Sequence, residues 1–314
     1  MRVIVAWLLV ALCAAWAAVR LLGLERGFPL VPLVAFTPFI AAGAIAVALL
    51  ALLLRVRGAA IAGAVLSLVL VGVVAPRALG GPTEAEGGEG PRLRVLTANM
   101  HLGRGAPESL AAIVRATRPD VVSVQELTPG LARTLDRAGF AEQLPYRALE
   151  ARRGGTGIGL YSRLPLAPLG SPPGLRNPMA IASAELPGAA RFELVAFHAP
   201  PPVRDARVAE WRRDLRAVPE ATTDGTLRVV AGDFNATIDH AELRRILDTG
   251  YEDAAAEIGQ GLKSTWPSNG RLVPPVAIDH VLADRRAGVR EVSFHEIPGS
   301  DHRAVFAELV LPRG

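Results

Sequence analysis

Three long apolar blocks occupy the first 75 residues of the chain. They are VIVAWLLVALCAAWAAV (3–19), LVAFTPFIAAGAIAVALLALLL (33–54) and AAIAGAVLSLVLVGVVA (59–75). None contains Asp, Glu, Lys, Arg or His, and each reaches the roughly 17 residues that can cross a ~30 Å hydrocarbon layer. Buried helices of a soluble core usually carry a polar stripe. We therefore predict three transmembrane helices, at about 3–22, 33–54 and 59–75. The first block alone could be a signal peptide, but the two blocks after it favour an anchor.

Arginines between the blocks indicate the orientation. Arg2, Arg55 and Arg57 lie on one side of the three predicted spans. Because cytoplasmic loops are enriched in Lys and Arg, this side is predicted to be cytoplasmic. Arg20 and Arg26, in the opposite loop, act against this assignment. The expectation is a multi-pass protein of the cytoplasmic membrane whose remaining chain lies outside.

The chain after the third block changes character twice. Residues 77–91 are rich in Gly, Pro and Glu and have no apolar periodicity, which predicts a flexible linker. Residues 92–314 are of a length that suits one large domain. We therefore predict an anchor over 1–76, a linker over 77–91 and a catalytic domain over 92–314.

Short runs rich in β-branched residues alternate with helical patterns in 92–314. Helices are predicted at 107–117, 204–218 and 239–250, the last capped by Asp239. Strands outnumber helices, which predicts an α/β domain with sheets packed face to face and helices outside. The predicted strands are 93–99, 120–126, 156–162, 179–186, 192–198, 227–233, 276–283, 289–297 and 303–311.

Polar residues stand at the ends of six of these runs. They are Asn99, Glu126, His198, Asp233 with Asn235, Asp279, and the pair Asp301–His302. One such strand end would be unremarkable, whereas six indicate a converging site. Carboxylates and amides are oxygen ligands of the kind that Mg²⁺ prefers, and a His beside a carboxylate can exchange protons near neutral pH. The sequence thus favours metal-assisted hydrolysis of a phosphate ester.

The motifs of this region also occur in a known order. TANMH, VQE, GIGLYSR, FHAP, GDFNA, STWP, IDHVL and GSDHRAV follow one another over 92–314. In this order they resemble the endonuclease/exonuclease/phosphatase superfamily, whose fold is the DNase I-like four-layer α/β sandwich. The preceding helices are similar to those of membrane-anchored bacterial members associated with vancomycin and teicoplanin resistance.

The resemblance implies a metal side of the site. Glu126 would be the main ligand of Mg²⁺, with Mn²⁺ as the alternative ion. Asn99 would lie beside it, and Asp301 would support the same side. His101 stands where some DNA-repair members have an acidic residue, which leaves the number of metal ions open.

The resemblance also implies an acid–base side. Asp233 would orient or deprotonate the attacking water, and Asn235 would hold the phosphate. His302, oriented by Asp279, would contact the phosphate and exchange a proton. His198 would be a second phosphate contact or a general acid. Further candidates for substrate contact are His101, Tyr161 and Trp266, although Trp266 could instead pack beneath the site.

The charge of the chain separates three functions. The formal net charge is only +4, and 92–314 is nearly balanced, which gives little support to a nuclease that needs a basic groove. A Mg²⁺-dependent phosphatase or phosphodiesterase acting on a lipid-linked phosphate or pyrophosphate suits the anchor better. An extracytoplasmic nuclease and a non-catalytic membrane-anchored binding module are the alternatives. The oligomeric state stays open.

Overall fold

Two six-stranded sheets lie face to face in the computed structural model, which describes residues 1–222 and 225–314. The first sheet has the order β11-β12-β1-β2-β4-β3, and the second has the order β5-β6-β7-β8-β10-β9. Both sheets are mixed, because β1 pairs with β2 and β7 pairs with β8 in parallel, while the other pairs are antiparallel.

The strands and helices have these bounds. The strands are β1 (Arg92–Asn99), β2 (Val121–Gln125), β3 (Tyr146–Glu150), β4 (Ile158–Ser162), β5 (Leu166–Pro168), β6 (Ala180–Ala184), β7 (Phe192–His198), β8 (Leu227–Asp233), β9 (Tyr251–Asp253), β10 (Asp279–Asp284), β11 (Gly288–Glu296) and β12 (Arg303–Val310). The α-helices are α1 (Arg2–Leu22), α2 (Leu30–Val34), α3 (Thr37–Leu53), α4 (Arg57–Val74), α5 (Pro107–Thr117), α6 (Pro129–Leu135), α7 (Ala141–Gln143), α8 (Asp205–Arg216), α9 (Ala241–Asp248) and α10 (Ala254–Glu257).

Apolar side chains fill three layers of the domain. One cluster lies between the two sheets and includes Val95 of the first and Val229 of the second. A second cluster joins the outer face of the second sheet to α8 and α9, and a third joins the first sheet to α5 and α6. The prediction of an α/β sandwich with helices outside two sheets is therefore confirmed.

The nine predicted strands all form, and three strands were missed. β3, β5 and β9 are short strands at sheet edges, and no residue of β3 or β5 is fully buried. Without a buried face, such a strand has no need for alternating apolar residues, so its sequence carries little signal.

The N-terminal helices differ from the prediction of three equal spans. α1 and the helical stretch Arg57–Ala78 are long and apolar enough to cross a membrane, whereas α3 has only 17 residues. The predicted span 33–54 is divided, because α2 ends at Val34 and Pro38 stands in the first turn of α3. Proline favours the first turn of a helix, since it lacks the N–H that an interior position needs. The correction is thus two helices of spanning length with a shorter apolar helix between them.

The three long helices pack through small residues and expose large ones. The buried faces carry Ala6 and Ala17 of α1, Ala44 of α3, and Ala59 and Gly63 of α4. The exposed faces carry large apolar side chains, among them Ile4, Leu8, Leu12, Leu49, Leu53, Ile61, Val65 and Leu68. Small residues inside and large apolar residues outside are typical of helices that pack within a lipid bilayer.

The segment predicted as a linker follows the domain surface. Thr83 donates its backbone N–H to the carbonyl of Val289 at 2.7 Å and accepts the Val289 N–H on its hydroxyl at 2.8 Å. Glu86 N–H donates to the carbonyl of Arg286 at 2.8 Å. These bonds hold 77–91 to β11 and the turn before it, which composition alone did not indicate.

A buried ion cluster joins the helices to the domain. Asp239 accepts hydrogen bonds from Arg20, at the end of α1, at 2.6 Å and from Arg77, after α4, at 2.6 and 2.7 Å. We call Arg20, Arg77 and Asp239 the junction cluster. The Asp239 side chain has 0% exposure. Its predicted role as the cap of the following helix is wrong, because α9 begins at Ala241 and His240 occupies the cap position.

Candidate active site

The strand ends meet at one edge of the sandwich. β1 and β2 run parallel in the first sheet, and β7 and β8 run parallel in the second, so both pairs end at this edge. Asn99 closes β1 and Asp233 closes β8, and the Asn99 amide donates to Asp233 Oδ2 at 2.9 Å across the gap between the sheets. The site is therefore built from both sheets.

The GDFN stretch combines a close backbone approach with a turn. A Cβ on Gly232 would lie 1.8 Å from the carbonyl oxygen of Phe197, so only glycine fits there. Phe234 points into the core beside Phe197, with ring centroids 4.8 Å apart. Asn235 then takes a left-handed φ of 45° and bonds both its N–H and its amide to Asp233, at 2.8 and 3.2 Å. The two polar residues thus come together through a turn rather than through continued strand alternation.

Glu126 follows β2 with a left-handed φ of 57°, an uncommon conformation for a residue other than glycine. One carboxylate oxygen accepts the backbone N–H of Leu102, and the other lies 3.4 Å from the Asn99 amide nitrogen. The side chain is 15% exposed, more than that of Asp233 or His198. Glu126 is therefore held in place while its carboxylate faces the opening of the site.

Asp279 and His302 form a pair inside the site. The His302 Nδ1 lies 2.9 Å from Asp279 Oδ2, and its Nε2 lies 3.8 Å from Asp233 Oδ2. Thr265 accepts the Asp279 N–H at 3.1 Å on its hydroxyl, and Ser300 accepts the His302 N–H at 3.1 Å. These two hydroxyls fix the backbone under both members of the pair.

The buried charges perturb one another. Burial disfavours the His302 cation, but Asp279 and then Asp233 outweigh it and raise the pKa of His302 to about 10. Burial, followed by repulsion from Asp279, raises the pKa of Asp233 to about 6, despite attraction to His302 and His198. Strongly raised pKa values of a histidine and a carboxyl group within one cleft are typical of acid–base sites.

His198 closes β7 on the opposite side of Asp233. Its Nε2 lies 3.6 Å from Asp233 Oδ2 and 3.9 Å from Glu126 Oε1. Its Nδ1 is buried and has no hydrogen-bond partner among the described residues. The ring is therefore oriented by packing and by its neighbouring carboxylates, and it can serve as a donor toward a substrate oxygen.

Asp301 organises the outer rim. His101 Nδ1 lies 3.3 Å from Asp301 Oδ1, and the Trp266 indole donates to Oδ2 at 3.2 Å. The Arg271 guanidinium also lies 3.2 Å from Oδ2. Three groups of the rim thus converge on one carboxylate.

Ten of the eleven predicted site residues are brought together, and Tyr161 is the exception. Its side chain is buried in the core and its ring meets Phe140 edge-on at 5.1 Å. Tyr161 is therefore corrected to a packing residue.

Sequence reasoning missed Thr265, Ser300 and Arg271. The first two stand inside the STWP and GSDH motifs and could have been inferred from them. Arg271 lies in an irregular stretch that gave no signal.

A metal ion suits the Glu126 side of the site better than the cluster of Asp233, Asp279 and His302. Ligand atoms of Asp233, Asp279 and His302 all lie within 4.8 Å of one another. His302 already bonds Asp279, however, and its raised pKa favours the protonated form, which cannot bind a metal. The carboxylate of Glu126 is freer, and the oxygen-rich surroundings suit a hard divalent cation.

Asn99 places a condition on that site. Its side-chain oxygen accepts the His101 N–H at 2.9 Å, while its NH₂ group faces Glu126 and Asp233. To ligate a cation, the Asn99 oxygen would serve both His101 and the ion with its two lone pairs.

Comparison with known proteins agrees with this architecture. The family model described as "Endonuclease/Exonuclease/phosphatase family" matches residues 96–302, so the chain belongs to the endonuclease/exonuclease/phosphatase family. Membership of this family makes the protein a phosphoesterase. No curated protein sequence matches the chain.

Solved structures share the fold at low identity. An endonuclease/exonuclease/phosphatase from Beutenbergia cavernae DSM 12333 has 21% identity and a TM-score of 0.55, covering 70% of this chain and 72% of its own. A functionally unknown conserved protein from Enterococcus faecalis V583 has 12% identity and a TM-score of 0.54, covering 70% and 100%. D. rerio TDP2 complexed with single strand DNA product has 18% identity and a TM-score of 0.50, covering 69% and 98%. They identify the DNase I-like fold.

Proposed function

We propose that this protein is a Mg²⁺- or Mn²⁺-dependent phosphatase or phosphodiesterase anchored in the cytoplasmic membrane. The observation that carries the proposal is the pair of Asp279 and His302 aimed at Asp233, beside the accessible carboxylate of Glu126. Hydrolysis of a phosphate ester needs a base for water, a donor for the leaving oxygen and positive charge near the phosphate. This arrangement offers groups for the first two.

The acid–base roles follow from position. Asp233, with a pKa raised to about 6, is ionised at neutral pH and can accept a proton from water or orient it. His302, with its pKa raised to about 10, is protonated and can bind a phosphate oxygen or donate a proton. Asn235 and His198 flank Asp233 and can donate to the remaining phosphate oxygens.

The metal role falls on the other side of the site. Glu126, with Asn99 beside it and Asp301 on the rim, would hold the ion. A bound divalent cation stabilises the charge that develops on the phosphoryl group. Without it, the site has four carboxylates close together, which disfavours an anionic substrate.

The N-terminal helices support a membrane anchor. Small residues form the buried contacts between these helices, and large apolar side chains cover their exposed faces. Such a surface suits lipid rather than water. In this proposal α3 also crosses, so three crossings place the domain outside the cytoplasm. The order of helices and domain further favours the membrane-anchored group associated with vancomycin and teicoplanin resistance.

A lipid-linked phosphate or pyrophosphate is the proposed substrate. An enzyme confined to the bilayer surface meets a lipid at a higher effective concentration than a free solute. The modest net charge of +4 offers little for a long polyanion.

A substrate panel tests the proposal. The detergent-solubilised full chain is given lipid phosphates, lipid pyrophosphates, small organophosphates and single-stranded DNA, each with Mg²⁺ and with EDTA. Hydrolysis of the lipid substrates by the wild type, and its loss in Glu126→Gln, is the expected result. Preferential cleavage of DNA would favour the nuclease alternative, and no hydrolysis of any substrate would favour a binding module.

A protease experiment tests the topology. Protease added to intact spheroplasts is expected to remove the domain that follows α4. Complete protection of the domain would place it in the cytoplasm and contradict the proposed orientation.

A further inference from the structure

A short loop beside the active site carries two adjacent exposed apolar side chains, Leu272 at 104% exposure and Val273 at 36%. Arg271, just before them, contacts Asp301 at 3.2 Å. One exposed leucine is ordinary on a protein surface, whereas adjacent exposed apolar residues at the rim of a site suit contact with an apolar partner. We call Arg271–Val273 the rim tip.

The same loop is tied to the start of α3. Val276 packs with Ile278 and with Ala35, which lies two residues before α3, and Phe36 and Trp266 lie against this cluster. The loop therefore runs from Asp301 in the site to the junction between α2 and α3. It bridges the active site and the helices within a few residues.

Chain geometry sets the distance from the rim tip to the helices. Leu272 is four residues before Val276, and an extended chain spans at most about 3.6 Å per residue, so their Cα atoms are within about 14 Å. The contact of Val276 with Ala35 lies at the end of the bundle where α3 begins and α1 and α4 end. If α3 enters the bilayer at its first turn, the rim tip is within reach of the headgroup layer, which adds several ångströms to the ~30 Å core.

Apolar surface continues from the bundle to this loop. Phe39 of α3, Leu262 and Val276 line one cavity between the helices and the domain. Phe39 and Leu262 are themselves exposed. Exposed apolar side chains of the bundle and of the domain thus meet where α3 begins, next to the loop that carries the rim tip.

We infer that the rim tip is a membrane-contact element of the active site: Leu272 and Val273 enter the interface of the bilayer that holds α1, α3 and α4. Arg271 then lies between the lipid headgroups and Asp301, where its guanidinium can meet a phosphate. The inference rests on the proposed membrane anchor. It gives the site a fixed orientation, with its rim toward the lipid.

Site-specific probes test this contact without any substrate. Cys13 is the only cysteine, so Cys13→Ala gives a background for single labels. An environment-sensitive fluorophore is placed on Leu272→Cys, on Leu12→Cys in α1, and on Leu169→Cys. Leu12 is 68% exposed on the bundle, and Leu169 is 55% exposed directly after β5, an edge strand of the second sheet. The full chain is then reconstituted in nanodiscs of phosphatidylcholine and phosphatidylglycerol that contain spin-labelled lipid.

The quenching pattern separates the anchor from the rim tip. We expect strong quenching at position 12, quenching with blue-shifted emission at 272, and a water-like signal at 169. If 272 behaves like 169 while 12 is quenched, the membrane contact of the rim tip is wrong and the anchor stands. Absence of quenching at 12 overturns both.

Activity gives a second readout. The double variant Leu272→Ser with Val273→Ser is compared with Leu169→Ser on a lipid phosphate in nanodiscs and on a soluble phosphate ester. We expect about a tenfold loss for the double variant on the lipid substrate alone, because interfacial affinity scales with buried apolar area. An equal loss on both substrates, or no loss on either, contradicts the inference. If wild-type protein cleaves neither substrate, the proposed function fails, and the probe result still decides the contact.

Discussion

Asp233 and Asp239 lie six residues apart, both are buried, and their surroundings shift their pKa values in opposite directions. Asp233 faces amides, histidines and the competing carboxylate of Asp279, and burial raises its pKa to about 6. Burial would also raise the pKa of Asp239, but Arg77 and Arg20 outweigh it and lower that pKa. The charge of Asp233 is thus only partly compensated by its neighbours, whereas the charge of Asp239 is fully paired with two arginines.

The difference shows how one short stretch of chain serves two purposes. A buried carboxylate with two guanidinium partners is a fixed structural charge. Its removal leaves both guanidinium groups buried without a counter-ion. A buried carboxylate beside another carboxylate can exchange protons near neutral pH and can attract a cation. The region of Asp239 joins helices to domain, while the region of Asp233 is suited to chemistry.

Metal removal should give the largest loss of activity among these tests. It should affect the region of Asp233 and leave the junction cluster unchanged. We expect EDTA to lower hydrolysis by about a thousandfold or more, since metal-ion catalysis supplies several kcal/mol of transition-state stabilisation. Added Mg²⁺ should restore it. Glu126→Gln should show the same loss with no rescue, while its circular dichroism spectrum is unchanged. Full activity in EDTA would refute the metal-dependent mechanism.

Asp239→Asn should be the most damaging change outside the active site. It leaves Arg20 and Arg77 buried without their anion, which we expect to cost about 3 kcal/mol or more in the free energy of unfolding. Thermal unfolding of the full chain in detergent measures this loss. Asp205→Asn is the control, because Asp205 also bonds across the junction, to the Phe28 N–H at 2.7 Å, but at an exposed position. Equal effects of the two variants would contradict the role of burial.

The stabilisation that ionised Asp239 supplies depends on pH. The folded pKa of Asp239 lies below its ordinary value of 3.8, so its stabilisation is complete above that value and is lost as the pH falls through the lower, folded pKa. The difference in stability between the wild type and Asp239→Asn should therefore be constant near neutral pH and shrink below about pH 4. A difference that stays constant down to pH 2 would argue against an ionised Asp239.

Asp233→Asn, in contrast to Asp239→Asn, should impair activity and leave stability intact. We expect kcat to fall by about a hundredfold, the effect of losing an acid–base group. His302→Ala should give a loss of similar size. Because the folded pKa of Asp233, about 6, lies above its ordinary value of 3.8, ionisation weakens the fold as the pH rises between them. At pH 7 the Asn variant, which lacks this charge, should thus unfold at the wild-type temperature or above it. A near-normal kcat would remove Asp233 from the mechanism.

Tyr161→Phe should have the smallest effect. The Tyr161 hydroxyl is buried without a hydrogen-bond partner among the described residues, so its removal should leave stability equal or slightly higher. Steady-state kinetics should show kcat and KM within about twofold of the wild type, as expected of a packing position. A large rise in KM would return Tyr161 to the substrate site.

Sequence patterns predicted the strands and the order of the site residues because burial imposes a period on them. Val229, Val230 and Ala231 are buried in β8, and Asp233 follows at its end. Patterns did not predict the role of Asp239, since a carboxylate before a helix is usually its cap. Its partners are 219 and 162 residues away, at Arg20 and Arg77, and sequence proximity carries no trace of them.

The turn at Glu126 and the rim contacts were also beyond pattern reasoning. Glu126 has a left-handed φ, and its carboxylate accepts the backbone N–H of Leu102 from another segment, a contact that no local pattern indicates. Arg271 meets Asp301 through a loop of Gly and Pro that has no periodicity. The division of 33–54 could have been anticipated from Pro38, although a proline near a helix start is compatible with either reading.

The position of β12 has a consequence for synthesis. This last strand lies between β11 and β1, and its register pairs Val310 with Arg92, the first residue of the domain sheet. Asp301 and His302 stand just before it. A chain still emerging from the ribosome can therefore complete neither the first sheet nor the pair of Asp279 and His302. The candidate site can therefore assemble only after almost all of the polypeptide has been made.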